Sequence, residues 1–415
     1  MIRKSEMLQG DLIPAGGSQS DSTLDPKRSG RARVLATIRY RGQIARVDIA
    51  REAGISPATV TAITAELLSE GLIERTLPDG ATGGQGRGRP REALKIRGAA
   101  RLVAGVKVSQ QAITILLVDF EGAEIGSHEM PRPEAQSTGD ALADQIMQAV
   151  DAACAAHGRA SAEVSGIGIG LAGQVDGHRA HVHWSSALRE RNVDLGAALQ
   201  ARAPCPVFIE NDANLVAKAE QLFGKGRDVQ NFLVVTIQHG IGLGVVIDGK
   251  LYRGARGCGA EFGHTKVTAG GALCQCGQHG CLEAYAGEYA LLRKANADTT
   301  HAYADLTQLL QAARTEHSHA ARILREAEHY FALGLANLIN IFDPELIILA
   351  VETAGQHPLC RPCVLAQVAD HAIQVDAPLP DIAVHNWGDH MWAKGAAAYG
   401  IERISDLSVI ELGRG

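Results

Sequence analysis

A chain of 415 residues with 46% hydrophobic content can bury two or three cores, which excludes a single small domain and an intrinsically disordered chain. No run of eighteen or more apolar residues occurs and no apolar core follows Arg3 and Lys4, so neither a membrane-spanning helix nor a secretory signal is expected and the protein reads as cytoplasmic. The net charge of −6 hides an asymmetry: residues 1–100 carry 16 Lys and Arg against 11 Asp and Glu, and residues 101–415 carry 24 against 35, the balance of a polyanion-binding module on an acidic domain.

Residues 1–30 hold Gly, Ser, Asp and Pro without apolar period and read as a flexible arm. From residue 31 three helical faces follow one another: Val34, Leu35 and Ile38; then Val47, Ile49, Ala50 and Ala53; then Val60, Ile63 and Leu67. Between the last two lies Gly54-Ile55-Ser56-Pro57, with a residue for a left-handed turn, a helix cap and a first-turn proline, as a helix-turn-helix requires. Leu72 to Arg75 and Ala93 to Ile96 then read as two strands joined by a loop, a β-wing that completes a DNA-binding domain over 31–98.

The third helix turned inward by those three residues leaves Ala58, Thr61 and Ala62 outside, with Ser56 and Thr59 at its start. Small side chains let such a helix sit deep in a major groove, where hydroxyls and methyls are the groups on offer. Most affinity is then expected from phosphate contacts by Arg46, Arg51 and Arg75, and from Arg87 and Arg89 in the wing, whose Gly-Arg-Gly-Arg-Pro backbone is narrow enough for a minor groove.

After Leu102 strands and helices alternate, the mark of an α/β domain. Strands are expected at 103–106, 113–119, 166–170, 207–209, 232–237, 244–247 and 346–349, with a helix near 139–156 and a largely helical stretch over 283–342.

Glu261-Phe262-Gly263-His264 is followed by Cys274-Gln275-Cys276-Gly277-Gln278-His279-Gly280-Cys281-Leu282-Glu283. One imidazole and three thiolates, from His264, Cys274, Cys276 and Cys281, are the donor set of a closed tetrahedral zinc site, with Gly277 and Gly280 letting the chain double back. His279 is the rival nitrogen ligand. With all four positions filled by protein, the Zn2+ is structural. Cys360-Arg361-Pro362-Cys363 lacks a partner pair and is assigned no role.

This cluster resembles, residue for residue, the signature of the ROK family (repressors, open reading frames and kinases), and the resemblance runs from about Leu102 to the C-terminus. With the upstream helix-turn-helix and wing it is similar to the family's repressor branch. The resemblance implies a winged helix-turn-helix followed by a two-lobed actin/hexokinase-like α/β domain over 99–415. It also implies a sugar held by Asn211, Asp212, Glu261, His264 and Glu283, with Gly173 in a segment that helps choose the sugar. Carboxylates and an amide suit hydroxyls that both donate and accept.

In kinase members Asp212 would be the general base; a helix cap is the alternative use of Asn211-Asp212. Kinases also carry Asp-x-Gly-Gly-Thr on the first hairpin, Gly-Thr-Gly on a second segment and Gly-Gly near the adenosine. Here those segments read Lys107-Val108-Ser109-Gln110-Gln111, Gln238-His239-Gly240 and Ala350-Val351-Glu352. Side chains in place of glycines block close backbone approach to phosphates. The expectation is therefore a regulator without catalytic residues: a homodimer or homotetramer that binds double-stranded operator DNA, answers to a sugar or sugar phosphate, and does not touch a membrane. The alternatives are a sugar kinase that regulates its own gene and a receptor for another protein.

Overall fold

A computed structural model describes residues 26–77, 92–297, 302–315, 317–351, 357–373, 378–386 and 390–413. Arg87 and Arg89 lie outside the described residues. So do residues 1–25 of the expected arm, while its last five residues already belong to a helix, α1 (Pro26–Arg41). Gly30 and Arg31 are buried there.

β1 (Ile44–Ala45), α2 (Arg46–Ala53) and α3 (Pro57–Ser69) follow, then β2 (Ile73–Thr76) and β3 (Ala93–Ile96). Val34, Leu35, Ile38, Ile49, Ala50, Ala53, Val60, Ile63 and Leu67 are all buried, so the three helical faces meet as expected. Val47 is the exception, 64% exposed. It sits two residues before Ile49, about 200° around α2, which points it away from the face that Ile49, Ala50 and Ala53 share. The turn has the anticipated chemistry: Gly54 takes φ +61°, Ser56 Oγ accepts from the Thr59 amide at 3.2 Å, and Pro57 opens α3. The wing is a three-stranded antiparallel sheet ordered β1-β3-β2; β1, only two residues long, carries too little periodicity to be read from sequence.

The next sheet contains β4 (Leu102–Val108), β5 (Ala112–Asp119), β6 (Glu124–Pro131), β7 (Val164–Leu171) and, after an intervening hairpin, β10 (Val207–Asn211). α4 (Gly139–Ala156) covers it. The hairpin is β8 (Gly173–Asp176) with β9 (His181–Ser185), followed by α5 (Leu195–Gln200). The order is β10-β7-β4-β5-β6. β4, β7 and β10 run parallel, in register at Val108, Leu171 and Asn211, so their carboxyl ends lie along one edge, where open α/β sheets bind ligands.

α6 (Asp212–Phe223) leads to a second sheet of β11 (Phe232–Ile237), β12 (Ile241–Ile247), β13 (Lys250–Tyr252), β14 (Leu346–Val351) and β15 (Asp381–Asn386), ordered β13-β12-β11-β14-β15. Between β13 and β14 come α7 (Glu283–Ala286), α8 (Glu288–Ala295), α9 (Leu306–Ala312) and α10 (His319–Phe342); α11 (Pro362–His371) precedes β15, and α12 (Met391–Glu411) ends the chain. No helix among the described residues is long and apolar enough to cross a membrane.

The chain divides into two compact units, Asp212–Met391 and the remainder, so the DNA-binding helices belong with the first sheet and α12. That helix lies on β4 and β7 at backbone contact. A Cβ on Gly105 would overlap the Ala393 carbonyl oxygen, and one on Gly168 the Ala396 carbonyl oxygen.

Candidate metal centre, ligand site and nucleic-acid interface

The Phe262 ring is buried in the core of the second unit, and it anchors a short turn, Phe262–His264, that Glu261 precedes. Gly263 is required there, because a Cβ would overlap the Ile241 carbonyl oxygen. Downstream, Gly277 and Gly280 take φ of +86° and +77°, and Gly280 packs directly on the Thr268 carbonyl. The chain therefore doubles back, with Leu273 paired to His279 and Lys266 to Cys281.

The result is a cluster of four donor atoms, from His264, Cys274, Cys276 and Cys281, all within 4.8 Å of one another. Cys276 Sγ and Cys281 Sγ are 3.7 Å apart, and Cys274 Sγ is 3.6 Å from His264 Nδ1. Bonds of about 2.0–2.3 Å in a tetrahedron give edges of roughly 3.3–3.8 Å, so this spacing fits a zinc ion. His279 is not part of the cluster; its Nδ1 lies 2.9 Å from the Gly271 carbonyl oxygen.

With Nδ1 turned to the thiolates, His264 Nε2 faces the other way and lies 4.0 Å from Glu261 Oε2. One ring thus spans the metal cluster and a set of carboxylates. Burial first, and then the charges of Asp212 and Glu283, push the Glu261 carboxyl up to about 7. Three acids that crowd one another in this way are relieved by neutral hydroxyl donors.

Glu283 is fixed at the start of α7. The Ile241 amide donates to its Oε2 at 3.2 Å, and the Tyr289 hydroxyl donates to its Oε1 at 3.3 Å. Tyr289 also lies 3.5 Å from Cys274 Sγ, so it joins metal cluster and carboxylates by a second route. No sequence signal marks Tyr289, six residues past the signature. Asp212 opens α6, and its Oδ1 accepts from the Ala213 amide at 2.9 Å.

In the first unit the Asn211 side chain donates to the Gly173 carbonyl at 3.0 Å. Gly173 holds φ +135°, and a Cβ would overlap the Trp184 carbonyl oxygen.

The segments that the resemblance matches to kinase phosphate loops have the following surroundings. Val108 to Ala112 closes on itself: the Ser109 amide donates to the Ala112 carbonyl at 2.9 Å, Ser109 Oγ accepts from the Ala112 amide at 3.0 Å, and Arg132 Nη1 clamps the Ser109 carbonyl at 2.6 Å. Lys107 Nζ lies 5.5 Å from the centroid of the Trp392 ring. The His239 ring packs 5.2 Å from that of Tyr289. Ala350 and Val351 are buried; Glu352 lies outside the described residues.

On α3 the residues Ala58, Thr59, Thr61, Ala62 and Ala65 are exposed, with Ser56 before them. The helix holds no Lys, Arg, Asn, Gln or His. The Thr61 hydroxyl donates to the Pro57 carbonyl at 2.8 Å, which leaves its methyl and lone pairs to the surroundings. Arg46 bonds Thr64 Oγ1 at 3.0 Å and pairs with Glu92 at 2.9 Å, Arg75 pairs with the same Glu92 at 3.2 Å, and Arg51 pairs with Asp48 at 2.8 Å. All three guanidinium groups sit at or near the surface in pairs that a phosphate can compete for.

Residues 103–402 match the ROK family and residues 29–78 the MarR family. The xylose repressor of Bacillus spizizenii is 27% identical over 383 residues, 92% of this chain and 97% of that protein. A glucokinase of Streptomyces coelicolor is 35% identical over 264 residues, 60% of this chain and 81% of the kinase. Among solved structures, a ROK family transcriptional regulator described as a homologue of the Escherichia coli MLC protein superposes with a TM-score of 0.77 at 25% identity, over 94% of this chain and 99% of that one. The chain is a member of the ROK family, with a MarR-type helix-turn-helix ahead of an actin/hexokinase-like ROK domain.

Proposed function

We propose that this protein is a sugar-responsive, DNA-binding transcriptional regulator, a repressor of carbohydrate uptake or catabolism genes that binds its effector without phosphorylating it. The observation that carries this reading is the pairing of a helix-turn-helix with a ROK domain; the residues that the resemblance assigns to a sugar are present in the sequence, and the segment it matches to the first phosphate hairpin is tied by Ser109, Ala112 and Arg132. Asn211, Asp212, Glu261, His264 and Glu283 hold hydroxyls of a sugar or sugar phosphate, and Gly173 positions Asn211. Zinc on His264, Cys274, Cys276 and Cys281 is structural: it neutralises the thiolates and fixes the direction of His264 Nε2. The protein works in the cytoplasm as a homodimer or homotetramer on double-stranded operator DNA.

The kinase reading keeps one specific support. That support is a glucokinase among the relatives, in keeping with the base position that the resemblance gives Asp212. The closed hairpin at Ser109 opposes it.

On DNA, α3 offers methyl groups and lone pairs but no amide or cation, so direct readout falls on the C5 methyl of thymine, with arginines on phosphates and wing supplying the rest. The test is to enrich duplexes from a random pool with the full-length protein, then replace each thymine of the winner by deoxyuracil. Loss of about fivefold or more in affinity at particular thymines is expected. No enrichment from the pool would overturn the regulator reading; full affinity for the deoxyuracil duplex would overturn the methyl readout alone.

A further inference from the structure

Arg39 sits near the end of α1, on the helix that backs the DNA-reading α3, yet its guanidinium reaches out of the helix-turn-helix. Its Nη1 donates to the Phe120 carbonyl at the end of β5, its Nη2 donates to Ser405 Oγ of α12 at 3.1 Å, and its plane lies 4.7 Å from the centroid of the Phe120 ring. Phe120 is fully buried and its amide donates to the Gly98 carbonyl at 2.9 Å, in the segment linking wing to ROK domain. Burial lowers the cation to about 10 against the opposing charges of Glu121, Asp119 and Glu402, so it stays charged at neutral pH.

Inside the helix-turn-helix, α1 is pinned to α3. Arg31, buried, pairs with Glu66 at 2.7 Å, and Gly30 lies against Ile63. A movement of α1 therefore carries α3 with it.

The Phe120 and Ser405 anchors are the far ends of two stiff elements. β5 runs from the Ser109 hairpin to Asp119, roughly 24 Å at a strand's rise per residue. α12 runs from Trp392, beside Lys107, to Ser405, roughly 20 Å at a helix's rise. α12 is locked by glycine contacts at Gly105 and Gly168 to β4 and β7, where no side chain exists to absorb a shift, and β4 is paired along its length with β5. Their near ends lie at the edge of the sheet where β4, β7 and β10 finish and Asn211 is found.

From this geometry we infer that Arg39 is the positioning residue through which the ROK domain sets the orientation of the DNA-reading helices, with β5 and α12 as the rigid elements it grips. The inference rests on the regulator reading above. A guanidinium held by a carbonyl, a hydroxyl and a ring keeps one orientation, which a single flexible bond would not.

The test uses full-length protein, a duplex enriched from a random pool, and whichever of D-glucose, D-xylose, N-acetyl-D-glucosamine and their phosphorylated forms raises the wild-type melting temperature. In the wild type that sugar should change the duplex Kd by about fivefold or more. In Arg39→Met, which keeps the apolar stem over Phe120, the change should fall below about twofold, with the sugar Kd at the wild-type value. Ser405→Ala, a milder lesion, should fall between them, so the inference stays testable if Arg39→Met folds poorly.

If Arg39 only holds α1 in place, the variants melt earlier but the sugar shifts duplex affinity as in the wild type; that result overturns the inference. A wild-type protein that binds neither duplex nor sugar overturns the regulator reading itself, which separates the two failures.

Discussion

Cys281→Ser is expected to abolish zinc binding and to weaken the sugar site with it. Cys281 is fully buried, its sulfur is 3.7 Å from Cys276 Sγ, and Lys266 Nζ donates to it at 2.9 Å. Serine is a poor zinc ligand, and three remaining donors cannot close a tetrahedron. Metal analysis should find one zinc per wild-type chain and none in the variant. Because His264 and Glu283, both proposed to hold the sugar, also lie against the cluster, sugar affinity should drop by about tenfold or more, as expected when the groups that orient a site are lost. His279→Ala should keep both zinc and sugar, since His279 bonds a backbone carbonyl away from the cluster. Zinc retained by Cys281→Ser would contradict the ligand assignment.

Gly173→Ala should be strongly destabilising for a change of one methyl group. At φ +135° an alanine is strained by about 1–3 kcal/mol, and the new methyl would meet the Trp184 carbonyl oxygen and the Ser185 backbone, adding a packing cost of about 1–3 kcal/mol. Relief requires the Gly173 carbonyl to turn, and that carbonyl holds the Asn211 amide at 3.0 Å. A fall in melting temperature of roughly 5–15 °C follows for a unit of this size, together with weaker sugar binding in the folded fraction. A melting curve superimposable on the wild type would show that the backbone at 173 is not the constraint it is taken to be.

Much of this was legible in the sequence because its signals were local. The Gly54-Ile55-Ser56-Pro57 turn needs only a left-handed glycine, a cap and a first-turn proline, and all three act as their chemistry dictates. The metal cluster lies within eighteen residues, so spacing alone proposed its ligands, and the choice of His264 over His279 then followed from which ring faces the thiolates. Val47 was misplaced because a two-turn helix gives too few apolar positions to fix its phase.

The long-range features carried no such mark. Tyr289 bridges cluster and carboxylates only after α7 and α8 fold, and Arg39 meets Ser405 across 366 residues of chain. Glu92 joining Arg46 and Arg75 depends on β3 returning beside β2. For the arginines, a common residue type becomes significant through a partner that the sequence does not bring near; for Tyr289, only the packing of α7 and α8 turns the hydroxyl toward a nearby residue.

The ROK domain should bind a sugar and no nucleotide. Isothermal titration of the zinc-loaded protein with the sugar that stabilises it, followed by ATP with magnesium on the sugar complex, tests this most directly. Saturable heat from the sugar, none from ATP, and no ADP on prolonged incubation are the expected results. Binding of ATP with sugar phosphorylation that disappears in Asp212→Asn would contradict them and make the protein a kinase.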